Sequence, residues 1–232
     1  MRAFAALLRH ELLLLFRQNV IGIAAATVII YAAALYLIPR DHHDMWVPAL
    51  LMSEIVTMGV LFIAAVLFIE MRQQTAIAFA VTPVPTATWI LAKLAAFTIL
   101  STGAAQALLI LSSSIPNGAL VTLTVVLTAL LYNQIGFVLA LWTGSIRDFF
   151  LPLSVVMGLL ALSIYWHLGA ADSPLFWIIP SYPAMILLAS SVSAIPAGTL
   201  LLALALLLLW NAAAFWLCRH AFHTRVSARL GR

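Results

Sequence analysis

The sequence predicts an all-α integral membrane protein: six transmembrane helices, an N-terminal amphipathic interfacial helix, and short outer interfacial or re-entrant helices between spans five and six. Three observations carry that prediction. Hydrophobic residues fill 65% of the 232 positions and charged residues only 8%, with a mean hydropathy of +1.15, whereas a soluble domain carries roughly 25% charged residues. The apolar runs have the length of a bilayer-crossing helix, ~20 residues, which leaves room for about six or seven spans and no appended soluble domain. With six spans and both ends inside, all but Arg40 of the eleven Lys and Arg residues fall on the inner side, as the positive-inside pattern requires.

Residues 1–19 plot as an amphipathic helix with Phe4, Leu7, Leu8, Leu12 and Leu15 on one face and Arg2, Arg9, His10 and Arg17 on the other. Such a helix lies in the interface with its basic side toward lipid phosphates. Glu11 falls on the apolar side of that wheel, so it either pairs with a basic group from another cytoplasmic element or marks a helix partly buried against the spans. The same Arg9, His10, Glu11 and Arg17 interrupt every candidate core of a signal peptide, which is therefore not expected.

The first span is expected over 20–38, closed by Pro39. Arg40, Asp41, His42, His43 and Asp44 form a short polar turn; five consecutive residues cannot converge on one ion, so no metal site is expected there. The second span, 45–69, contains Glu54, which lies roughly 12 Å along the helix from Trp46 at a 1.5 Å rise. An ionisable group at that depth costs about 2.5–3.5 kcal/mol on the insertion scale for comparable charges. Two readings stay open for it: a place in a translocation or proton pathway, or a protonated carboxyl bonded to a neighbouring helix.

Residues 70–93 form the one long polar-bearing inner connection, opening on Glu70, Arg72, Gln73 and Gln74. A short amphipathic run from Thr75 to Val81 follows, with Ala78 and Phe79 inside it, and a helix end is expected near Val81. There Pro83 and Pro85 remove amide donors and bias the residues before them away from helix. Thr86 is expected to cap the next helix. The third span, 88–111, carries Gln106, and the fourth, 119–142, carries Asn133 and Gln134, which point about 100° apart, so that at most one faces a central pathway. The fifth span, 149–167, follows a tight inner turn at 144–148. Residues 175–195 are apolar enough to cross, yet Pro180 and Pro183 break them, and a seventh crossing would carry the basic tail outward. The sixth span is expected over 197–218, ending at Cys218, the single cysteine, so no internal disulfide forms.

The formal charge of +4 reports orientation rather than nucleic-acid binding, because no basic cluster sits in a folded polar region. Trp46, Trp166 and Trp177 fall near the outer boundary and Trp89, Trp142 and Trp216 near the inner one. No phosphate-loop pattern is present, and the only lysine is Lys93, so ATP hydrolysis of the P-loop kind is excluded for this chain. His-Glu-x-x-His is absent as well, and the histidines lie at boundaries or outside the spans, which speaks against an intramembrane enzyme.

The loop from Glu70 through Thr82-Pro83 to Trp89 and Lys93 resembles the coupling helix of ABC exporter permeases of the type 2 class. In that class a Glu ends the second span, a short helix and a Ser/Thr-Pro step follow, and an aromatic-x-x-x-Lys pattern opens the third span. RHELLLLFRQN is similar to the basic-Glu-apolar-Arg helix that precedes the first span there. Within the class, the chain resembles bacterial permease subunits named for fluoroquinolone export.

The resemblance implies a single permease domain, 1–232, in a bacterial inner membrane with both termini cytoplasmic. It also implies a cytosolic ABC ATPase subunit that holds ATP and Mg, and a second permease subunit, identical or related. The ATPase-coupling residues would be Glu70, Arg72, Thr75, Ala78, Phe79, Val81, Thr82 and Pro83, and the pathway candidates Glu54, Gln106, Asn133 and Gln134. A hydrophobic or amphipathic cargo, drug-like or lipid-like, is expected to leave the cytoplasm, with no cofactor bound by this chain. Haem-exporter-type permeases share the six-span layout, so a cofactor cargo stays open. The alternative is a proton-coupled secondary transporter that uses Glu54.

Overall fold

In a computed structural model, residues 2–74, 85–112, 118–169 and 173–227 are described, and no strand occurs among them. Long runs of Leu, Ala, Val and Ile satisfy their own backbone in helices, the arrangement an apolar solvent demands of an open chain. The helices are α1 (Arg2–Arg17), α2 (Val20–Leu37), α3 (His43–Val56), α4 (Ile63–Arg72), α5 (Thr86–Ser112), α6 (Gly118–Thr143), α7 (Ile146–His167), α8 (Ser181–Ala189) and α9 (Ala197–Phe222). Six segments are long and apolar enough to cross a membrane: Val20–Leu37, Arg40–Arg72, Thr86–Ser112, Gly118–Thr143, Ile146–His167 and Ala197–Arg225. The chain is a multi-pass membrane protein.

Asn19 makes the corner between α1 and α2. It sits at φ 56°, a left-handed conformation that Asn tolerates better than most residues, and a Cβ at Gly22 would lie 2.4 Å from its Oδ1. A second corner, between α6 and α7, uses Gly144 at φ 68°. Ser145 then caps α7, accepting from the Asp148 amide at 3.2 Å while its hydroxyl donates to Asp148 Oδ2 at 2.8 Å. Thr86, expected as a cap, is itself the first helical residue of α5, and Pro85 precedes it.

α6 is the axle of the bundle. In its most apolar stretch 72% of residues are buried, against 17% for α2 and 22% for α7, and it packs against α3, α4, α5, α7, α8 and α9. The second span meets it through a π-helical turn, Thr57–Phe62, that joins α3 to α4. Two glycines set the distance there. A Cβ on Gly59 would stand 2.7 Å from Tyr132 Cβ, and one on Gly136 would stand 2.7 Å from the Val60 carbonyl. Small residues at such a crossing bring the two backbones together, the usual route to helix association in lipid.

The stretch from 175 to 195 does not add a crossing. It forms a 3₁₀ turn, Pro174–Ile178, and the nine-residue α8, every residue of which is buried. At 1.5 Å per residue such a helix reaches only about 14 Å. α8 packs against α3, α6, α7 and α9, and Ser181 donates to the Leu160 carbonyl of α7 at 2.8 Å. Tyr182 is ringed by Trp166, Phe176 and Trp177 at centroid distances of 4.8, 5.8 and 5.1 Å.

Candidate functional site

The apolar side of α1 packs on α5, and Leu15 is buried there with Leu7, Leu8 and Leu12 around it. Glu11 is carried into the same contact and is 2% exposed. What compensates it is Lys93, fully buried on α5, whose Nζ donates to Glu11 Oε2 at 2.7 Å and to Glu70 Oε1 at 2.6 Å. The ammonium also lies 5.3 Å from the Trp89 ring centroid, close enough for a cation–π attraction. Trp89 in turn packs on Phe222 of α9 and Phe137 of α6, at 5.2 and 6.1 Å.

This triad joins three elements. Glu11 stands on the N-terminal helix, Glu70 in the last turn of α4, and Lys93 in the second turn of α5. Glu70 and Lys93 flank the connection between the second and third spans, so the ion pair closes that connection at its base and locks α1 to it. Charges in a dry interior are stable only when paired and hydrogen-bonded, and removing one partner of such a pair costs about 3–5 kcal/mol. Arg72 is exposed. Thr75, Ala78, Phe79, Val81, Thr82 and Pro83 lie outside the described residues.

Of the intramembrane candidates, Glu54 is fully buried in the last turn of α3, and neither carboxyl oxygen has a hydrogen-bond partner among the described residues. Asn133 is also fully buried; its amide donates to Thr98 Oγ1 at 3.1 Å, a bond between α6 and α5. The Gln134 side chain is buried beside it, and its backbone carbonyl accepts from Cys218 Sγ at 3.5 Å. Gln106 is half-buried and donates to Thr122 Oγ1 at 3.0 Å, tying α5 to the start of α6. Gln106 and Asn133 thus answer to different partners, Thr122 and Thr98.

A cavity of about 240 Å³ lies between α2, α3, α6 and α7, and none of the four lines it. Its polar edge is Tyr31, Ser53, Thr57 and Tyr132, and Met52 and Met157 contribute polarizable apolar walls. Tyr31 and Thr57 share a 3.2 Å hydroxyl contact, while Ser53 and Thr57 each donate to a carbonyl one turn back at 2.8 Å. Sequence reasoning missed these residues. The one-turn spacing of Ser53 and Thr57 is the signal the sequence offers for them, and any pair of hydroxyls bonding back to their own helix gives the same one. Among the described residues no group of three or more His, Cys, Asp or Glu side chains is placed to hold a metal ion.

The family model for the fluoroquinolones export permease protein family matches residues 2–230. The chain is similar to the fluoroquinolones export permease proteins of two Mycobacterium tuberculosis strains, CDC 1551 / Oshkosh and H37Rv. Each match is 26% identical over 186 residues, covering 79% of this chain and 78% of the relative. No solved structure matches the chain. A match over nearly the whole length, on a bundle of six apolar crossings, settles the affiliation: the chain belongs to the fluoroquinolones export permease protein family.

Proposed function

We propose that this chain is the membrane-spanning, non-catalytic permease subunit of an ATP-driven ABC exporter that moves a hydrophobic or amphipathic small molecule out of the cytoplasm. The observation that carries the reading is the buried Glu11–Lys93–Glu70 triad. It makes the base of the 70–93 connection and the N-terminal helix one mechanical unit, so a displacement applied to the connection is delivered to α1, α4 and α5 together. That is what an ATPase docked on Arg72, Thr75, Ala78, Phe79, Val81, Thr82 and Pro83 would require in order to shift the spans between inward- and outward-open states, with the buried Glu70 passing the displacement to Lys93. The only lysine is committed to two carboxylates and withheld from any nucleotide. ATP and Mg therefore belong on a separate cytosolic ATPase, and a second permease subunit completes the assembly in a bacterial inner membrane, with both termini inside.

The cargo class follows from the 240 Å³ cavity, whose walls are mainly apolar with hydroxyls at one edge. A planar aromatic amphiphile fits that chemistry, in keeping with the fluoroquinolones for which the mycobacterial relatives are named. The test is a pull-down in mild detergent, wild type beside Ala78→Asp/Phe79→Asp/Val81→Asp, scored for a co-purifying ATPase and for cargo-stimulated ATP hydrolysis. Wild type should capture the ATPase and the variant should lose it; a well-folded wild type that captures none would overturn the proposal.

One observation favours a second reading, proton-coupled transport: the carboxyl of Glu54, fully buried without a hydrogen-bond partner among the described residues. Glu54→Gln separates the two. An ATP-driven exporter keeps transport within about threefold, because a neutral amide costs little where no cation is paired. A proton carrier loses it altogether, and with it the response of transport to an imposed proton gradient.

A further inference from the structure

A cleft of about 290 Å³ lies between the end of α4 and the beginning of α7, lined by Phe68 and Arg72 on one side and by Gly144, Ser145, Ile146 and Arg147 on the other. Both arginines are exposed, and neither has an ion pair among the described residues, where the ion pairs belong to Lys93. The nearby carboxylate, Asp148, is turned to its own helix cap, accepting from Ser145 Oγ at 2.8 Å. Two arginines from different elements thus line one opening, and among the described residues no carboxylate is paired with either.

The rim of the cleft shows what kind of surroundings it faces. Trp142, Ile146, Phe150 and Leu151 are 46%, 49%, 59% and 79% exposed, all within a few residues of Arg147. Phe68 seals the cleft floor against Phe149 at 5.4 Å. Exposed Trp and large aliphatic side chains beside exposed arginines mark the boundary between hydrocarbon and headgroups. The abundant anion that stands at that level with an apolar body attached is a phospholipid, and the planar guanidinium fork matches the oxygens of its phosphate.

We propose that the Arg72–Arg147 cleft binds the phosphodiester head of an anionic glycerophospholipid, with its acyl chains lying along Ile146, Phe150 and Leu151 of α7. The assignment needs only a bilayer and stands apart from the ATPase reading. Arg72 is also among the residues proposed to meet the ATPase, so the bound lipid would form part of the surface that the ATPase meets.

The test is native mass spectrometry of the full-length chain after exchange into equal phosphatidylglycerol and phosphatidylcholine of identical acyl chains. Wild type should retain phosphatidylglycerol preferentially. Arg72→Gln/Arg147→Gln should bind it roughly 10- to 30-fold more weakly, whereas Arg72→Lys/Arg147→Lys should keep most of the preference. Equal retention by wild type and the glutamine variant overturns the proposal. So does complete displacement by millimolar inorganic phosphate, which would make the cleft a free-phosphate site. Loss of ATPase capture with lipid retention unchanged also overturns it, by giving the arginines to the partner protein. A second measurement holds even if the glutamine variant does not fold: wild type labelled with a photoactivatable phosphatidylglycerol should carry adducts on peptides covering 68–72 and 146–151, and adducts confined to other peptides overturn the assignment.

Discussion

Lys93 is the residue whose removal has the most lopsided consequence. It answers two carboxylates at 2.7 and 2.6 Å, in a site where it is fully buried. Lys93→Met would leave Glu11 and Glu70 facing each other without a cation, a loss of about 3–5 kcal/mol. Adding Glu11→Leu and Glu70→Gln removes the stranded charges while keeping a hydrogen-bonding group at position 70, and should restore most of that stability, because an apolar replacement of a buried ion cluster is often neutral or better. Melting of the detergent-solubilised protein, followed by tryptophan fluorescence, measures both; a triple variant as unstable as Lys93→Met would show that packing rather than charge holds the site. The triple variant should fold and still fail to transport, since the link between α1 and the 70–93 connection is gone. The sequence exposed this site only halfway. Glu11 stood out as a charge on the wrong face of α1, and Lys93 as part of a loop pattern, but nothing in a one-dimensional pattern pairs residues 82 positions apart. The cavity hydroxyls were less legible still, because Ser and Thr in an apolar helix look alike whether they line a space or bond back to their own backbone.

At the level of elements, the crossing of the second span with α6 depends on two missing side chains. Gly136→Ala would place a methyl 2.7 Å from the Val60 carbonyl and 2.8 Å from Val60 Cα, and backbone cannot swing away as a side-chain tip does. Gly59→Ala meets Tyr132 Cβ in the same way. Each should destabilise the fold by about 1–3 kcal/mol, the usual range for overpacking. Gly103→Ala, with nothing within 4 Å of its added carbon, serves as the control and should melt at or slightly above wild type, since Ala is the better helix former. The helices themselves were readable from hydropathy and length, and the lack of a membrane-length helix over 175–195 from its prolines. The π-helical turn at Thr57–Phe62 was not. It inserts no Pro and breaks no apolar run; it lies where Gly59 and Gly136 bring two helices together, a tertiary fit that no pattern along one helix records.

For the whole molecule, six segments are long and apolar enough to cross, and six crossings would put both termini on one side of the membrane, whichever side that is. Hydropathy supplies the number, and the positions of the Lys and Arg residues supply the direction. With that count Arg40 alone would lie across the membrane from the other ten Lys and Arg of the sequence, the asymmetry expected of a bundle whose two ends face the cytoplasm. The test uses the fact that the native cysteine is unique and buried. In a Cys218→Ser background, which keeps a donor facing the Gln134 carbonyl, His42→Cys should react with a membrane-impermeant maleimide added to intact cells, because position 42 is exposed in the turn between α2 and α3. Arg225→Cys, exposed beyond α9, should react only after the membrane is opened. The reverse pattern would turn the molecule over, place the 70–93 connection outside, and remove it from reach of any cytosolic ATPase. Labelling of both positions in intact cells would require an odd number of crossings, and the segment that would have to supply or withdraw one is the buried α8.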